Sequence, residues 1–558
     1  MALLDAYLVG PDTPWGDRQV GHLYRRAAFG ATPETRESAV GAGDQTSFEA
    51  AVDALVDYQD QDPYLDLGAG SGQGLPGDPL DELPNDDSDL GRVKKPLRTR
   101  DAKGRWLYRM RYSSQPFQEM FALFMHDHLV SDFPKVSSEV TSSMNRGNDG
   151  SQDNQRCEDG SLAPDDQRKN QVLIRLLQEQ IDLFRSQGID DFRELLLSVT
   201  RNPAMLLYLD NAENRLGKAQ ENFAREVMEL FSMGVGNYSE ADIQEIAKCL
   251  TGETLPLFEC ESDWQTDYGF NPEMHEPGDK FVFGFTVSED MTGQETIDVV
   301  DLILSRVSVN PDVSGFSAPY DTLPATAVYL SWKLLTWFVS HEIKLLPTPD
   351  PVVLELADYM VGSDGTDYPN RRYPYDLRAC VRKILTSQFF YDESNVYSMY
   401  KTPVDYVVMA LRVLDAHEDY TSGSGPARAV EEMGMDIYEP PNVAGWDHGT
   451  AWITSGNLIE RYNYANRVAE RLFGGNDGNA YIESLLAENG GPFANSEDHA
   501  TMIAYYADRL IQDELTADEE ATLYAFLEDM PGSNSTLFRN KIRGLMHVMM
   551  TMPIFQLK

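Results

Sequence analysis

Residues 115–130 read QPFQEMFALFMHDHLV. Phe117, Met120, Phe121, Phe124 and Met125 recur at the three- and four-residue spacing of an α-helix. Near its C-terminal end this helix carries His126 and His128. The same period extends in both directions. Towards the N-terminus, Asp17 to Phe29 is a short helix ending at Gly30. Thr32 with Pro33 reads as an N-cap followed by proline at the first helical position, and Ser47 to Tyr58 is amphipathic. Towards the C-terminus, helices are expected over 171–187, 190–200 and 203–209, the last capped by Asn202, and over 221–234 and 240–250. Ser239 and Asp242 form a near capping box for the last of these. Helical periods resume at 294–308, 324–340, 349–361, 374–388, 402–416, 458–473, 499–513, 517–528 and 535–552. Phe281 to Val287 is expected as a short strand or hairpin arm. Residues 134–168 and 418–457 read as long irregular loops, and no repeat of fixed period occurs. The expected fold is mainly α, a large multi-helix globular fold with short β pieces and long irregular loops.

The chain has 558 residues, 42% hydrophobic and 24% charged, enough for a large core. Four segments are expected. Residues 1–59 are an N-terminal helical segment, and 60–100 an acidic Gly/Pro-rich loop or linker. Residues 101–475 are the main helical domain, and 476–558 a C-terminal helical segment packed on it. No apolar run of about 18 residues suggests a transmembrane helix. The net charge of −44 argues against a non-specific nucleic-acid binder or a polybasic membrane binder. Lysine is scarce (14 residues, against 32 arginines) and the acidic charge is scattered, which fits adaptation to salt. Cys249 and Cys380 lie on apolar helical patterns and read as buried thiols, while a pairing of Cys157 with Cys260 stays open. The first residues lack the basic and apolar regions of a signal peptide. The protein is therefore expected to stay in the cytoplasm, to be exported together with a partner, or to start further upstream.

Several blocks carry a resemblance. They are His22 to Pro33, Phe124 to His128, Asn202 to Asp210, Glu221 to Phe231, Tyr238 to Gly252, His275 to Lys280, and Pro440 to Trp446. In this order they resemble the bacterial domain-of-unknown-function family 1800 over roughly residues 17–470. The resemblance implies a helical protein of no settled activity. It also implies a partner, because genes of the family often neighbour genes for sulfatase-like proteins with twin-arginine export signals. The chain departs from the family pattern at Met125, where tryptophan is usual before the histidine, and at Glu276, where aspartate is more typical. The 60–100 insert is particular to this chain.

Candidate chemistry lies in four places. His126 and His128, two residues apart, would share a face on a strand but diverge by about 200° on a helix. Asn222, Arg225, Glu226 and Glu229 form one polar stripe of a helix. Its plain reading is a solvated face with an Arg225–Glu229 ion pair, and its functional one a source of carboxylates for a hard metal or for acid–base work. His275 and Lys280 share a loop constrained by Pro277 and Gly278, where Lys280 would bind an anion or titrate. Asn442, Trp446 and Trp452 sit in a turn-dense aromatic loop, which either offers rings for stacking or plugs the core. His341-Glu342 lacks a second histidine at metal-binding spacing and reads as structural.

Two functions follow. In the first, His126, His128 and His275 hold a divalent transition metal (Zn, Cu or Fe). Glu226 or Glu229 is then the general base, Arg225 or Lys280 orients an anionic substrate, and the target is an extracellular or envelope polymer. In the second, the chain is a non-catalytic binding or export partner of a sulfatase-like hydrolase, using the loop around Trp446 and the acidic surface.

Overall fold

The computed structural model describes residues 3–58, 98–146, 166–255, 268–307, 323–346, 348–362, 375–416, 420, 422–423, 425–471, 484–495, 497–530 and 535–558. The expected linker over 59–97, and Cys157 and Cys260, lie outside the described residues. The α-helices are, in chain order, α1 (Asp17–Ala27), α2 (Pro33–Val40), α3 (Gln45–Val56), α4 (Thr99–Tyr112), α5 (Pro116–His128), α6 (Phe133–Arg146), α7 (Asp166–Gln187), α8 (Phe192–Thr200), α9 (Pro203–Tyr208), α10 (Glu221–Glu229) and α11 (Glu240–Cys249). Then follow α12 (Gln294–Ser305), α13 (Ala325–Phe338), α14 (Pro351–Met360), α15 (Leu377–Leu385), α16 (Pro403–Val413), α17 (Pro426–Glu432), α18 (Ser455–Arg471), α19 (His499–Leu510), α20 (Ala517–Glu528) and α21 (Ser535–Thr551). The protein is mainly α, as its periodicity indicates.

Helix α5 is the axis of the packing. It touches α1, α3, α4 and α7, and all thirteen of its residues are buried. An apolar stripe alone would bury one face. The polar residues Gln118, Glu119, His126, Asp127 and His128 are buried as well. The expected caps form: Thr32 accepts from the Thr35 N–H, Asn202 from Ala204 and Met205, and Ser239 exchanges bonds with Asp242.

Three helices depart from the expectation, among them α17 (Pro426–Glu432), a short helix with Pro426 at its first position inside the stretch 418–457 expected as irregular. Residues 133–146, expected as loop, form α6. Asp132 accepts from the Lys135 N–H at 3.3 Å, Lys135 pairs with Glu139 at 2.9 Å, and Val136 is buried. Its polar composition masked the period, because α6 is short of apolar residues and leans on α7 and α9. Helix α4 (TRDAKGRWLYRMRY) has a basic sequence without an apolar stripe, yet Arg105, Arg109 and Arg111 are buried.

The β content is small. Strand β1 (Glu253–Thr254) pairs with β2 (Gly269–Phe270), and β3 (Lys280–Val282) with β4 (Phe285–Val287). The second pair is the hairpin expected over 281–287. Phe283 and Gly284 at its turn both have positive φ, which matches the twist of a two-residue hairpin. Isolated bridges Ala6–Ser387 and Tyr400–Leu557 join each terminal region to the middle of the chain. Cys249 and Cys380 are free and buried. Among the described residues no helix is long and apolar enough to cross a membrane.

Candidate active site

His126, Asp127 and His128 follow one another at the end of α5, about 100° apart on the helix, so each meets a different part of the protein. The His126 ring lies among Trp106, Tyr438 and Trp446, with centroids 5.5–5.8 Å away, and its Nε2 accepts the Tyr438 N–H at 3.2 Å. His128 stacks on Phe124 beside Phe192 and Tyr329. Its Nε2 donates to the Phe231 carbonyl at 3.0 Å, a role the acceptor dictates. Burial pushes His126 down to about 4 and His128 to about 3, so both rings are neutral.

His275 lies in another environment. Its Nδ1 donates to the Thr251 carbonyl at 2.8 Å and its Nε2 faces Glu295 Oε1 at 3.1 Å. Lys280 meets the same carboxylate at 2.8 Å and donates to the Glu276 carbonyl at 2.6 Å. Burial opposes charge on His275, but the Glu295 and Thr251 acceptors outweigh it and raise its pKa. Both ring nitrogens are thus engaged inside the protein, Nδ1 by the Thr251 carbonyl and Nε2 by Glu295 and Lys280 at 3.3 Å, and neither is turned toward His126 or His128. The three histidines therefore do not come together. Among the described residues no group of three or more His, Cys, Asp or Glu side chains is placed to hold a metal ion. Lys280 is buried in this ion cluster instead of facing a substrate.

The α10 stripe is partly as expected. Arg225 pairs with Glu240 of α11 at 2.7 Å and lies 3.8 Å from Glu221, leaving Glu229 to accept from the Tyr238 hydroxyl. Burial, then the neighbouring Glu229, raises the half-buried Glu226. Asn222 is exposed. Glu229 lines an apolar groove of about 230 Å³ whose walls include Val328, Tyr329 and Trp332, with exposed Val235 and Leu346 at its edge. In the aromatic loop, Trp446 and Trp452 are buried, so their rings turn inward and do not form a stacking platform. Asn442 is exposed, and its side chain accepts from the Ala444 N–H at 2.8 Å to tighten the turn.

The residue that joins this loop to α5 is Asp127. It is 3% exposed; Oδ1 accepts the Trp446 N–H at 2.8 Å, and Oδ2 lies 3.3 Å from His448 Nε2. Gly445, at φ +90°, makes the approach possible, since a Cβ there would lie 2.4 Å from the Asp127 carbonyl. Burial drives the Asp127 pKa up. The His448 contact, Lys333 and the Trp446 N–H overcome that and hold it below the usual carboxylate range. His448 is about one-third exposed, its ring stacked on His341 at 5.4 Å and edge-on to Trp337 at 5.9 Å.

Helix α13 supplies the opposite wall. Tyr329, Lys333 and Trp337, four residues apart, share one face, and His341 follows just beyond the helix. Lys333 Nζ lies 5.8 Å from the Tyr329 ring centroid and 5.5 Å from that of Trp332, and it has no hydrogen-bond partner among the described residues. Burial lowers its pKa against the opposing pull of Asp127. His341 is pushed down to about 3 by burial, His448, Lys558 and Arg26, despite the nearby Thr336 backbone. Sequence reasoning missed Asp127, Lys333, His341 and His448. A carboxylate flanked by two histidines was a signal for Asp127, and so was the histidine two residues beyond Trp446 for His448. Lys333 carried none.

The arrangement defines a mainly α protein with a buried carboxylate orienting a part-exposed imidazole. Residues 22–148 and 166–557 match the family model described as "Protein of unknown function (DUF1800)", and the chain belongs to that family. No curated protein and no solved structure matches it.

Proposed function

We propose that this chain is an acid–base enzyme centred on His448, with Asp127 as its positioning carboxylate. One observation carries the reading: a buried, ionised aspartate faces the Nε2 edge of a histidine whose other ring nitrogen has no hydrogen-bond partner among the described residues. Asp127 favours the tautomer with the proton on Nε2, leaving the Nδ1 lone pair to take a proton from water or a hydroxyl. The imidazolium so formed is stabilised by the Asp127 charge and returns the proton to the leaving group. Glu226 and Glu229 lie on another helix and have no step here. A metal held by His126, His128 and His275 would need those side chains to leave their present partners.

The test is turnover on chromogenic phosphate, sulfate and glycosidic esters by the wild type, Asp127→Asn and His448→Gln. Both variants are expected to lose about 10²–10⁴-fold. Turnover unchanged in both, or none on the whole panel, overturns the reading. A second reading, a binding partner of a sulfatase-like hydrolase, is favoured by the apolar groove with exposed Val235 and Leu346 at its edge. Val235→Asp would then abolish co-elution with that hydrolase and leave turnover alone.

A further inference from the structure

The charge inside this protein is opposite in sign to the charge outside. The chain carries −44, yet Lys558 and Arg26 lie buried close to Trp337 and His341. Lys558 Nζ lies 5.9 Å from the Trp337 ring centroid and pairs with Asp405 at 2.6 Å. Arg26, fully buried, donates to the Val339 carbonyl at 2.9 Å and to Ser398. Lys401 donates to the Phe555 carbonyl, and Arg461 to the Lys401 carbonyl. Carbonyls satisfy donors but neutralise no charge, so Arg26, pushed down to about 9 by burial, keeps its charge without a carboxylate of its own, while burial pulls Lys401 toward the neutral amine.

A second observation points the same way. Among the described residues the Trp337 indole N–H and both nitrogens of His341 are buried without a hydrogen-bond partner. Unfilled buried donors are uncommon and call for a water, an ion or a ligand. Lys333, also without a hydrogen-bond partner, lies one turn from Trp337 on the same face of α13. The ammonium of Lys333 thus fronts a donor-bearing face of α13, with the free acceptor edge of His448 packed against Trp337 of the same face.

We infer that Lys333 and the Trp337 indole N–H bind an oxyanion, the phosphate, sulfate or carboxylate group of the substrate, beside the free edge of His448. This rests on the acid–base reading for the word substrate and on nothing in it for the binding itself. The group would displace solvent from Lys333 and sit where the His448 edge can exchange a proton with the atom next to it. Lys333 is chosen over the buried cations because it is part-exposed and has no hydrogen-bond partner among the described residues.

The experiment uses the full chain and inorganic sulfate, inorganic phosphate and acetate as probes. Ionic strength is held constant with sodium chloride, because screening alone stabilises so acidic a protein. Thermal midpoint and tryptophan fluorescence are followed through each titration. A saturable rise of about 2–4 °C at low millimolar anion is expected for at least one probe. It should be at least about tenfold weaker in Lys333→Met and be kept in Lys333→Arg. Which probe wins assigns the group. A wild type with no saturable response at fixed ionic strength overturns the inference, even if Lys333→Met fails to fold, and so does Lys333→Met binding as tightly as wild type. Asp127→Asn separates the two claims. It should retain the anion response while losing turnover. Loss of the response in wild type with turnover intact defeats this inference alone.

Discussion

Asp127 and His448 face each other but carry different loads. Asp127 is buried and ties the end of α5 to the loop of Gly445, Trp446 and His448. In Asp127→Asn the amide keeps the Trp446 N–H bond through its oxygen but turns an NH₂ toward His448, which then flips its proton to Nδ1. A loss of about 1.5–3 kcal/mol is expected in chemical denaturation, with the tautomer change read by imidazole NMR. His448 is part-exposed, so His448→Gln should cost less than about 1 kcal/mol while abolishing turnover. If both variants lose equal stability, His448 is structural. Gly445→Ala should be worse than either. Its Cβ would collide with the Asp127 backbone in a conformation that already costs an L-residue about 1–2 kcal/mol, so a loss near 3 kcal/mol or more is expected.

At the scale of elements, charge placement explains what periodicity could not. Helix α4 is held inside the protein by Glu119 of α5. Its carboxylate accepts from Arg109 Nε at 2.9 Å and Trp106 Nε1 at 2.9 Å, and lies 2.9 Å from Arg185 of α7. Three helices meet on one buried carboxylate. Glu119→Gln keeps the shape and removes the charge, leaving two buried guanidinium groups short of a counter-ion. A loss of about 3–5 kcal/mol is expected, measured by the denaturation midpoint. A loss below about 1 kcal/mol would mean that Asp182, paired with Arg185, compensates. This is also where the sequence was hardest to read. The apolar spacing of α5 and the caps at Thr32, Asn202 and Ser239 are local features, visible along the chain. The burial of α4 depends on partners 10 and 76 residues away from Arg109, so no local pattern announces it. The candidate site divides the same way. The histidine pair was visible, whereas its division between two aromatic boxes, and the role of the aspartate between them, required the tertiary fold.

At the scale of the whole molecule, the buried histidines make stability depend on pH. Burial holds His126 at about 4, His128 at about 3, His341 at about 3 and His22 well below its usual value. In the unfolded chain each titrates near 6.5. As pH falls from 7 to 5 the unfolded state takes up nearly one proton per histidine and the native state almost none, so stability falls by roughly 2 kcal/mol for each. His275 acts in the opposite sense: its raised pKa gives stability that is present below 6.5 and lost as pH rises, and it offsets part of the fall. The net expectation is a loss of about 7 kcal/mol between pH 7 and 5, since a raised histidine pKa can return less than about 1 kcal/mol over that range. Below about pH 4 a second loss begins, as Asp127 and Glu119, both depressed in the native state, take up protons. Urea denaturation at fixed high salt separates these effects from the relief of surface repulsion in so acidic a chain, since screening removes most of the latter. The single variant His128→Phe should remove about one proton from the linkage and flatten the slope between pH 6.5 and 5. Stability independent of pH over that range would mean that these rings are charged in the native state, and the aromatic boxes around His126 and His128 would then have to open.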